Sequence, residues 1–313
     1  MRLGLTLPNL GSIGTRDNLM AYAREAEQLG YNSLWVTDRL LFPVQPKQRM
    51  MGQPWSPHYK FVLDPLDALV FAAAVTEKIR LGTSVLDFPF YVAAPLAKRI
   101  ATLDVLSNGR AIVGGGSGWS EDEYAASNVP FSKRGARTEE MILALKALWG
   151  PDPVEFHGQF YEIPPTEFNP KPIQKPRPPI IMGGFSPAAL DRAARLTDGF
   201  NPVAPPDPAM IEQFIGASKQ AWQNAGREGQ PEIVVRVNHG FISDAPLGED
   251  RMFLTGSVEQ VRGDVQKLAD LGATEVFFSH LDAFGNAPDG LEQLMKQARL
   301  TRETVGANAV PAI

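Results

Sequence analysis

Residues 79–113, IRLGTSVLDFPFYVAAPLAKRIATLDVLSNGRAIV, contain one complete strand–helix–strand unit. The apolar, β-branched run over residues 79–86 predicts a strand. Residues 94–106 carry apolar side chains at helical spacing, and Asn108-Gly109 supplies the stop. The next strand begins with Ala111-Ile112-Val113. Because two strands joined by a helix pair in parallel, this unit predicts a parallel sheet.

The same alternation of strand and helix runs through the whole chain. Strands are predicted at residues 3–7, 33–37, 79–86, 111–113, 179–182, 199–203, 232–242 and 275–279. Helices are predicted at residues 18–29, 65–75, 94–106, 137–149, 187–196, 207–225, 258–271 and 291–305. Eight such units predict an α/β fold, the (β/α)8 TIM barrel, as one domain over residues 1–313. A doubly wound sheet would use fewer units and would carry a phosphate fingerprint after its first strand.

Three segments fall outside the repeat. Residues 39–63, with four prolines, follow the second strand, and residues 121–133 follow the fourth. Residues 154–163 alternate around His157-Gly158 in the manner of a small hairpin. Active sites of barrel enzymes are built from the loops that follow the strands. The first two insertions therefore mark the expected location of the site.

Composition restricts the classes of function. The chain has 313 residues, no cysteine, 44% hydrophobic residues and a formal net charge of −5. The absence of cysteine excludes disulfides, thiolate zinc sites, iron–sulfur clusters and a cysteine nucleophile. The acidic balance does not favour a nucleic-acid partner, which attracts a basic surface. The first residues lack a long apolar segment, and no apolar run is long enough to cross a bilayer, so we expect a cytoplasmic protein without membrane association.

The common catalytic signatures are absent from the sequence. The histidines, at positions 58, 157, 239 and 280, are far apart and form no short metal-binding spacing, so no metal is predicted. Residues 115–119, GGSGW, lack the final glycine of a nucleophile elbow, and residues 114–119 also fail the dinucleotide fingerprint. No Gly-Lys-Ser or Gly-Lys-Thr phosphate loop occurs. Metallohydrolase, serine hydrolase, simple Rossmann and P-loop ATPase functions are therefore disfavoured.

Two glycine-rich turns are candidate ligand sites. Residues 181–187, IMGGFSP, pass from a strand into a helix, with Ser186 as the expected N-cap and Pro187 as the first helical residue. Unpaired N–H groups beside a helix N-terminus suit an anion, although an ordinary tight turn is an equal alternative. Residues 114–119 could let a flat ligand lie against the backbone, or could form a demanding turn before the insertion.

Polar residues at strand ends are the candidate catalytic groups. Asp38 and Arg39 directly follow the second strand, whereas His239 and His280 lie at the ends of the seventh and eighth strands. In a barrel these positions border the mouth where active sites form. The alternative for the charged pair is a surface salt bridge, and the alternative for each histidine is a structural role.

Several longer stretches resemble a known family. They are residues 26–38 (AEQLGYNSLWVTD), 75–85 (VTEKIRLGTSV), 101–110 (ATLDVLSNGR), 118–119 (GW), 134–137 (RGAR) and 183–190 (GGFSPAAL). In this order they are similar to the luciferase-like superfamily of flavin- and deazaflavin-dependent oxidoreductases, and most closely to its coenzyme F420-dependent branch. The resemblance covers most of residues 1–200, and the last third of the chain matches loosely.

The resemblance implies a barrel that binds its redox ring at the carboxyl ends of the strands. Relatives commonly support this ring on a non-proline cis peptide, which would fall here between Ser84 and Val85. The turn at residues 183–186 would then bind the phosphate of the cofactor. The implied cofactor contacts are Ser84, Val85, Ser117, Gly118, Arg134, Gly183, Gly184, Phe185 and Ser186.

One position departs from the deazaflavin relatives. Many of them have Asp-His after the second strand, where this chain has Asp38-Arg39. Because an arginine stays protonated it cannot act as a general base, so Arg39 would hold a substrate anion or orient Asp38. If a proton moves with the hydride, Asp38, His239 and His280 are the alternatives. A glucose-oxidising relative has a glutamate where Trp119 aligns, so the resemblance does not imply sugar-phosphate oxidation.

The residues leave three functions open. The first is hydride transfer between coenzyme F420 and a small organic substrate. The second is a two-component monooxygenase in which reduced FMN reacts with oxygen. The third is a cofactor-free barrel without catalytic activity, against which the intact Ser84-Val85 and Gly183-Gly184 pairs argue. The expected partners are the substrate, a flavin or F420 reductase that supplies reduced cofactor, and a second copy of the chain in a homodimer.

Overall fold

Eight parallel strands close into a barrel in the computed structural model, which describes residues 1–50 and 52–304. The strands are β1 Arg2–Thr6, β2 Ser33–Val36, β3 Arg80–Thr83, β4 Ala111–Gly116, β5 Ile180–Met182, β6 Gly199–Phe200, β7 Glu232–Val237 and β8 Glu275–Phe278. Each strand pairs with its neighbours in chain order, and β8 returns to pair with β1, where Gly4 lies opposite Phe277. The predicted (β/α)8 barrel is confirmed.

A helix follows each strand of the barrel. The helices are α1 Arg16–Gln28, α2 Pro65–Ala73, α3 Ala93–Leu106, α4 Arg134–Leu148, α5 Pro187–Leu196, α6 Pro208–Asn224, α7 Val258–Leu271 and α8 Gly290–Glu303. The predicted bounds of α5 and α7 are confirmed, and the bounds of the others differ by one to three residues. The predicted end of α8, Val305, lies outside the described residues.

Shorter elements lie between these units. Helices span Glu121–Ala126 and Leu281–Phe284, 3-10 turns span Pro57–Lys60, Phe88–Phe90 and Phe131–Lys133, and the short strand Leu86–Asp87 pairs with β4. Antiparallel strands Val154–His157 and Glu162–Thr166 form the predicted hairpin, which extends beyond residue 163. The carboxylate of Glu140 on α4 accepts the N–H groups of residues 159–161 at 2.6–2.9 Å. This contact attaches the hairpin to the outer helix layer.

The predicted strand over residues 232–242 is wrong in its second half. The strand β7 ends at Val237, and Phe241–Ile242 pairs instead with Thr255–Gly256 in a separate two-stranded sheet. The chain bends at Gly240, where a Cβ atom would lie 2.5 Å from the ring of Phe278. Buried apolar residues lie on both sides of this bend, Val237 before it and Ile242 after it, so the sequence pattern predicts one continuous strand.

The barrel interior is filled in layers, because alternate residues of each strand point inward. One middle layer is a buried cluster of Trp35, Ile112, Ile181, Val234 and Phe277. The indole of Trp35 stacks on Phe277 with ring centroids 4.9 Å apart. A Cβ atom on Gly82 would lie 2.4 Å from this indole, so the ring fits only because residue 82 has no side chain. Nearer the amino ends of the strands, Glu275 accepts hydrogen bonds from Trp35 Nε1 at 3.0 Å and Arg2 Nε at 3.1 Å.

We expect Gly82→Ala to lower the free energy of unfolding by about 1–3 kcal/mol, because the added methyl group overpacks the layer that holds Trp35. Urea denaturation followed by tryptophan fluorescence measures this change. The matched control is Gly263→Ala on α7, where a Cβ atom meets nothing within 4 Å. This control should gain about 0.5–1 kcal/mol from the lower backbone entropy of alanine in a helix. Equal stabilities of Gly82→Ala and the wild type would contradict the layer argument.

Candidate active site

A polar layer lies above the apolar cluster, at the carboxyl ends of the strands. Ser84 Oγ donates to Asn201 Oδ1 at 2.6 Å, and Asn201 Nδ2 donates to the carbonyl of Val234 at 2.7 Å. Arg236 donates through Nη2 to Thr37 Oγ1 at 3.1 Å and through Nη1 to the carbonyl of Ser84. Because residues two apart on a strand share a face, these side chains follow the apolar layer into the barrel mouth. The sequence analysis predicted Ser84 and missed the other three.

Glycine residues lie on two sides of Val85 at the mouth. The peptide bond between Ser84 and Val85 is cis, as the resemblance implied. Val85 is partly exposed between two glycines of neighbouring strands: a Cβ atom on Gly116 would lie 2.5 Å from Val85 Cγ2, and one on Gly183 would lie 3.4 Å from Val85 Cγ1. On β1, Thr6 Oγ1 is buried with no hydrogen-bond partner in the described part of the chain. Val85 therefore packs directly against the backbone of both glycines, with no side chain between it and the neighbouring strands.

The turn at residues 183–186 opens toward solvent at the start of α5. Gly184 has φ +140°, and a Cβ atom there would lie 2.7 Å from Ala189. Ser186 caps the helix by accepting the N–H of Ala189 at 3.3 Å, while Phe185 is 58% exposed. The N–H groups of such a turn and the helix dipole both attract an anion. The geometry therefore suits the predicted phosphate site.

The remaining predicted cofactor contacts lie between β4 and α4. Ser117 Oγ accepts a hydrogen bond from Thr138 Oγ1 at 3.0 Å, which ties the end of β4 to α4. Gly118 has φ +64°, a left-handed conformation that favours glycine. Arg134 is the first residue of α4, and its guanidinium lies 4.0 Å from the ring centroid of Phe131. Ser117 and Gly118 border the same mouth as Val85, because they follow β4 and Val85 follows the neighbouring strand β3.

Arg39 is at the centre of a buried ionic cluster. Its Nη2 lies 2.7 Å from Asp87 Oδ2, its Nη1 lies 2.8 Å from Glu123 Oε2, and its Nε donates to the carbonyl of Asp38 at 2.7 Å. The exposed fractions of the three side chains are 8%, 5% and 0% for Arg39, Asp87 and Glu123. Each nitrogen of the guanidinium thus donates to an oxygen of the chain itself. This arrangement favours a positioning role for Arg39 over the capture of a substrate anion.

Burial shifts the protonation of the carboxylates in this cluster. It raises the pKa of Asp38 to about 6 and the pKa of Asp87 to about 7, with Arg39 opposing both shifts. Burial also raises the pKa of Glu123. Burial alone would lower the pKa of Arg39, but Asp87 and Glu123 outweigh it and raise that pKa. Because three carboxylates share one guanidinium, the cluster can hold a proton near neutral pH.

Asp38 connects this cluster to the mouth. Its Oδ2 accepts the hydroxyl of Tyr91 at 2.9 Å and the N–H of Asp87 at 3.2 Å. The side chain of Tyr91 is partly exposed, whereas Asp38 itself is 8% exposed. Burial of Tyr91 and the charge of Asp38 raise the pKa of the phenol, so the hydroxyl stays protonated and can act as a donor. Tyr91 therefore acts as a fixed hydrogen-bond donor that orients the carboxylate of Asp38.

The two histidines occupy different surroundings. His239 Nε2 lies 2.7 Å from the carbonyl of Phe253, and burial lowers its pKa. His280 is 3% exposed, contacts the carbonyl of Gly240 through Nδ1 at 2.8 Å, and has its pKa lowered by burial to about 4. In the described part of the chain no hydrogen bond or ion pair joins either histidine to Asp38. The ionic cluster therefore contains Asp38 and neither histidine.

Aromatic side chains cover Arg39 on the solvent side. The Arg39 Cζ atom lies 5.3 Å from the ring centroid of Trp119 and 5.7 Å from that of Trp55. The two indole rings are 5.0 Å apart, and Phe42 packs edge-on against Trp55. Trp55 and Phe42 come from the insertion after β2, and Trp119 precedes the helix of the insertion after β4. Both predicted insertions thus meet at one side of the mouth.

Residues 1–50 and 52–304 contain no cluster of three or more His, Asp or Glu side chains that could hold a metal ion. Within the same ranges, no helix has the length and apolar character that a bilayer span requires. The side chains of the site interact through hydrogen bonds, ion pairs and aromatic contacts.

The fold and the site define an α/β barrel with an open glycine-lined mouth at the carboxyl ends of its strands. A model of the luciferase-like monooxygenase family matches residues 1–245, and the chain belongs to this family. An uncharacterised protein of Mycobacterium tuberculosis is 32% identical to this chain over 266 residues, which are 84% of this chain and 86% of that protein.

Two further relatives have names that state a cofactor. An F420-dependent glucose-6-phosphate dehydrogenase of Amycolatopsis mediterranei is 37% identical over 195 residues, which are 60% of this chain and 53% of that enzyme. An FMNH2-dependent dimethylsulfone monooxygenase of Pseudomonas putida is 40% identical over 130 residues, which are 41% of this chain and 36% of that enzyme. Relatives of this chain therefore include both a deazaflavin enzyme and a flavin enzyme.

Solved structures agree with the fold. The monooxygenase RslO1 from Streptomyces bottropensis superposes with a TM-score of 0.80 at 21% identity, covering 97% of this chain and 98% of that chain. An F420-dependent secondary alcohol dehydrogenase in complex with an F420-acetone adduct superposes with a TM-score of 0.75 at 16% identity, covering 96% of this chain and 98% of that chain. At these identities the likeness shows the fold alone.

The ionic cluster predicts a pH dependence of stability. The folded protein keeps a proton on Asp87 up to about pH 7, whereas the unfolded chain releases it near pH ~4. The contribution of this group to the free energy of unfolding therefore falls between these pH values, by at most about 1.4 kcal/mol per pH unit. The amide of Asp87→Asn does not titrate. The free energy of unfolding of this variant, minus that of the wild type, should therefore increase as the pH rises through this interval.

Urea denaturation at several pH values between about 4.5 and 7.5 measures this difference. The control is Asp17→Asn, at a side chain that is 89% exposed, and its stability should follow the wild type at each pH. A stability difference between Asp87→Asn and the wild type that is constant with pH would show that Asp87 titrates alike in the folded and unfolded chains.

Proposed function

We propose that this protein is an oxidoreductase that transfers a hydride between coenzyme F420 and a small organic substrate. One observation carries the proposal: the bare backbone around Val85 continues directly into the turn at residues 183–186 at the start of α5. A flat ring bound beside Val85 and a phosphate bound at this turn are the two ends of a flavin-type cofactor. The chain therefore offers both subsites within one mouth.

Named residues would hold each part of the cofactor. Ser84, Val85 and Gly116 would border the ring, and the turn that ends at Ser186 would bind the phosphate. Ser117, Gly118 and Arg134 are the proposed contacts between these subsites. When bound, the deazaflavin supplies the hydride acceptor and donor, while the protein positions the substrate and excludes side reactions.

Asp38 is the proposed acid–base group. Its pKa near 6 lets it accept a proton from a substrate hydroxyl at neutral pH, and Tyr91 orients its carboxylate through a 2.9 Å hydrogen bond. Arg39 would act as a positioning residue that fixes Asp38 and Asp87. The aromatic side chains of Trp55 and Trp119 favour an organic substrate with an apolar part. His239 and His280 stay alternatives as catalytic groups.

The second candidate function is a two-component monooxygenase that uses FMN and a separate flavin reductase. The dimethylsulfone monooxygenase of Pseudomonas putida favours it, since that relative is named for FMNH2. The longer match, over 60% of this chain, is to the F420-dependent dehydrogenase, which supports the first candidate. We also propose that residues 1–313 form one domain of a cytoplasmic enzyme.

Titration of the purified protein with coenzyme F420 and with FMN, followed by fluorescence, separates these functions. Tight binding of F420 with weak binding of FMN supports hydride transfer, and reduced F420 can then be used to screen substrates. Preference for FMN would overturn the F420 assignment and would direct the work to oxygen consumption with a flavin reductase. Binding of neither cofactor would favour a barrel without a cofactor.

We expect Ser186→Ala to weaken FMN binding about fivefold while leaving riboflavin binding unchanged, because riboflavin lacks the phosphate that the turn would bind. Equilibrium titrations of both ligands measure the two affinities. The matched control is Ser257→Ala, which removes the same type of N-cap from α7, a helix that does not begin at the turn at residues 183–186. Equal losses for FMN and riboflavin would instead indicate a general loss of structure at the site.

A further inference from the structure

Arg236 is bound only by neutral groups. Its Nε donates to Asn238 Oδ1 at 2.7 Å, its Nη2 donates to Thr37 Oγ1 at 3.1 Å, and its Nη1 donates to the carbonyl of Ser84. These hydrogen bonds orient the guanidinium but supply no negative charge. Arg39, in contrast, is paired with two carboxylates in the neighbouring cluster.

No carboxylate in the described part of the chain lies within 4 Å of the Arg236 guanidinium. The side chain is partly buried in the polar layer that forms the floor of the mouth. A cation in such a place is costly unless an opposite charge approaches it. Its field extends over the mouth: burial raises the pKa of Tyr59, and Arg236 is the largest opposing influence. The floor of the mouth therefore attracts negative charge.

We propose that Arg236 supplies the positive charge that favours the reduced form of the bound ring cofactor, an inference that rests on the proposed function. Arg236 donates to the carbonyl of Ser84, which belongs to the same peptide that would border the ring. A hydride brings two electrons and one proton to the ring and so adds one negative charge to it. In the same step the substrate carbon loses the hydride and the substrate hydroxyl loses a proton to Asp38.

The chemistry of this charge explains why an arginine suits the position. The guanidinium of Arg236 carries a delocalised, planar charge that suits a fixed electrostatic role better than the titratable ammonium of lysine. Its hydrogen bonds to Thr37, Ser84 and Asn238 fix it before any ligand binds, and a preorganised charge acts without reorientation. Positive charge near a redox ring is one of the means by which a protein adjusts the electronic properties of its cofactor.

The test measures the dissociation constants of the oxidised and the reduced form of whichever cofactor the wild type binds more tightly, coenzyme F420 or FMN, under anaerobic conditions, for the full-length protein and its variants. For Arg236→Gln and Arg236→Met, we expect the ratio of the reduced to the oxidised constant to increase at least tenfold. A tenfold change in this ratio corresponds to a decrease of about 30 mV in the two-electron midpoint potential. Arg236→Lys, which keeps the charge, should retain most of the wild-type ratio.

The matched control is Arg227→Gln. Arg227 also donates only to carbonyl groups, those of Ala194 and Thr197, and it stacks 4.1 Å from the ring centroid of Trp222. Its removal changes the net charge by the same amount at a position outside the mouth, so the ratio of the two constants should not change. A purely structural role of Arg236 would weaken the binding of the oxidised and the reduced cofactor by the same factor.

The possible results distinguish a failure of the inference from a failure of the proposed function. An unchanged ratio in Arg236→Gln and Arg236→Met overturns the inference and leaves the proposed function intact. Failure of the wild-type protein to bind FMN and F420 overturns the proposed function, and the inference with it. If neither uncharged variant folds, the wild-type measurement decides: the cofactor bound to the protein should have a midpoint potential above that of the same cofactor free in solution. A potential below that of the free cofactor overturns the inference.

Discussion

The fit of Trp35 inside the barrel is the constraint on which the rest of the structure depends. Its indole stacks on Phe277 and donates through Nε1 to Ser33 Oγ at 2.7 Å and to Glu275 at 3.0 Å. The ring fits because Gly82 of the neighbouring strand carries no side chain. A close-packed middle layer prevents the barrel interior from forming a channel. The next layer, toward the carboxyl ends of the strands, forms the floor of the mouth and contains the polar side chains.

The polar layer joins strands that are distant in the sequence. Ser84 on one side of the barrel binds Asn201 on the other, and Arg236 reaches from β7 to Thr37 and to the backbone of Ser84. Each of these polar groups satisfies another, which offsets the cost of placing them inside a barrel. The hydrogen bonds also fix the positions of the side chains before a ligand binds. This hydrogen-bonded floor and the glycines beside Val85 together border the mouth.

Two arginines in the mouth differ in their electrostatic surroundings. Arg39 shares its charge with Asp87 and Glu123, so the cluster around it is neutral or negative and can exchange a proton. Arg236 is hydrogen-bonded to neutral groups, and no carboxylate in the described part of the chain lies within 4 Å of its guanidinium. A buried charge is tolerated when it is paired, or when a ligand supplies the opposite charge. The same side chain can therefore serve as a positioning group at one place and as a source of positive potential at another.

The sequence by itself determined the barrel, its helices and the turn at residues 183–186, because periodicity, caps and glycine turns are local properties of the chain. It also identified Asp38, which follows a strand end, and the resemblance to the luciferase-like superfamily identified Ser84. Only the tertiary structure decided the partners of Arg39, because Asp87 and Glu123 lie 48 and 84 positions away along the chain. The same holds for Arg236, which is 152 positions from Ser84. Barrel closure brings these residues together, and no local pattern encodes which side chains meet across a closed barrel.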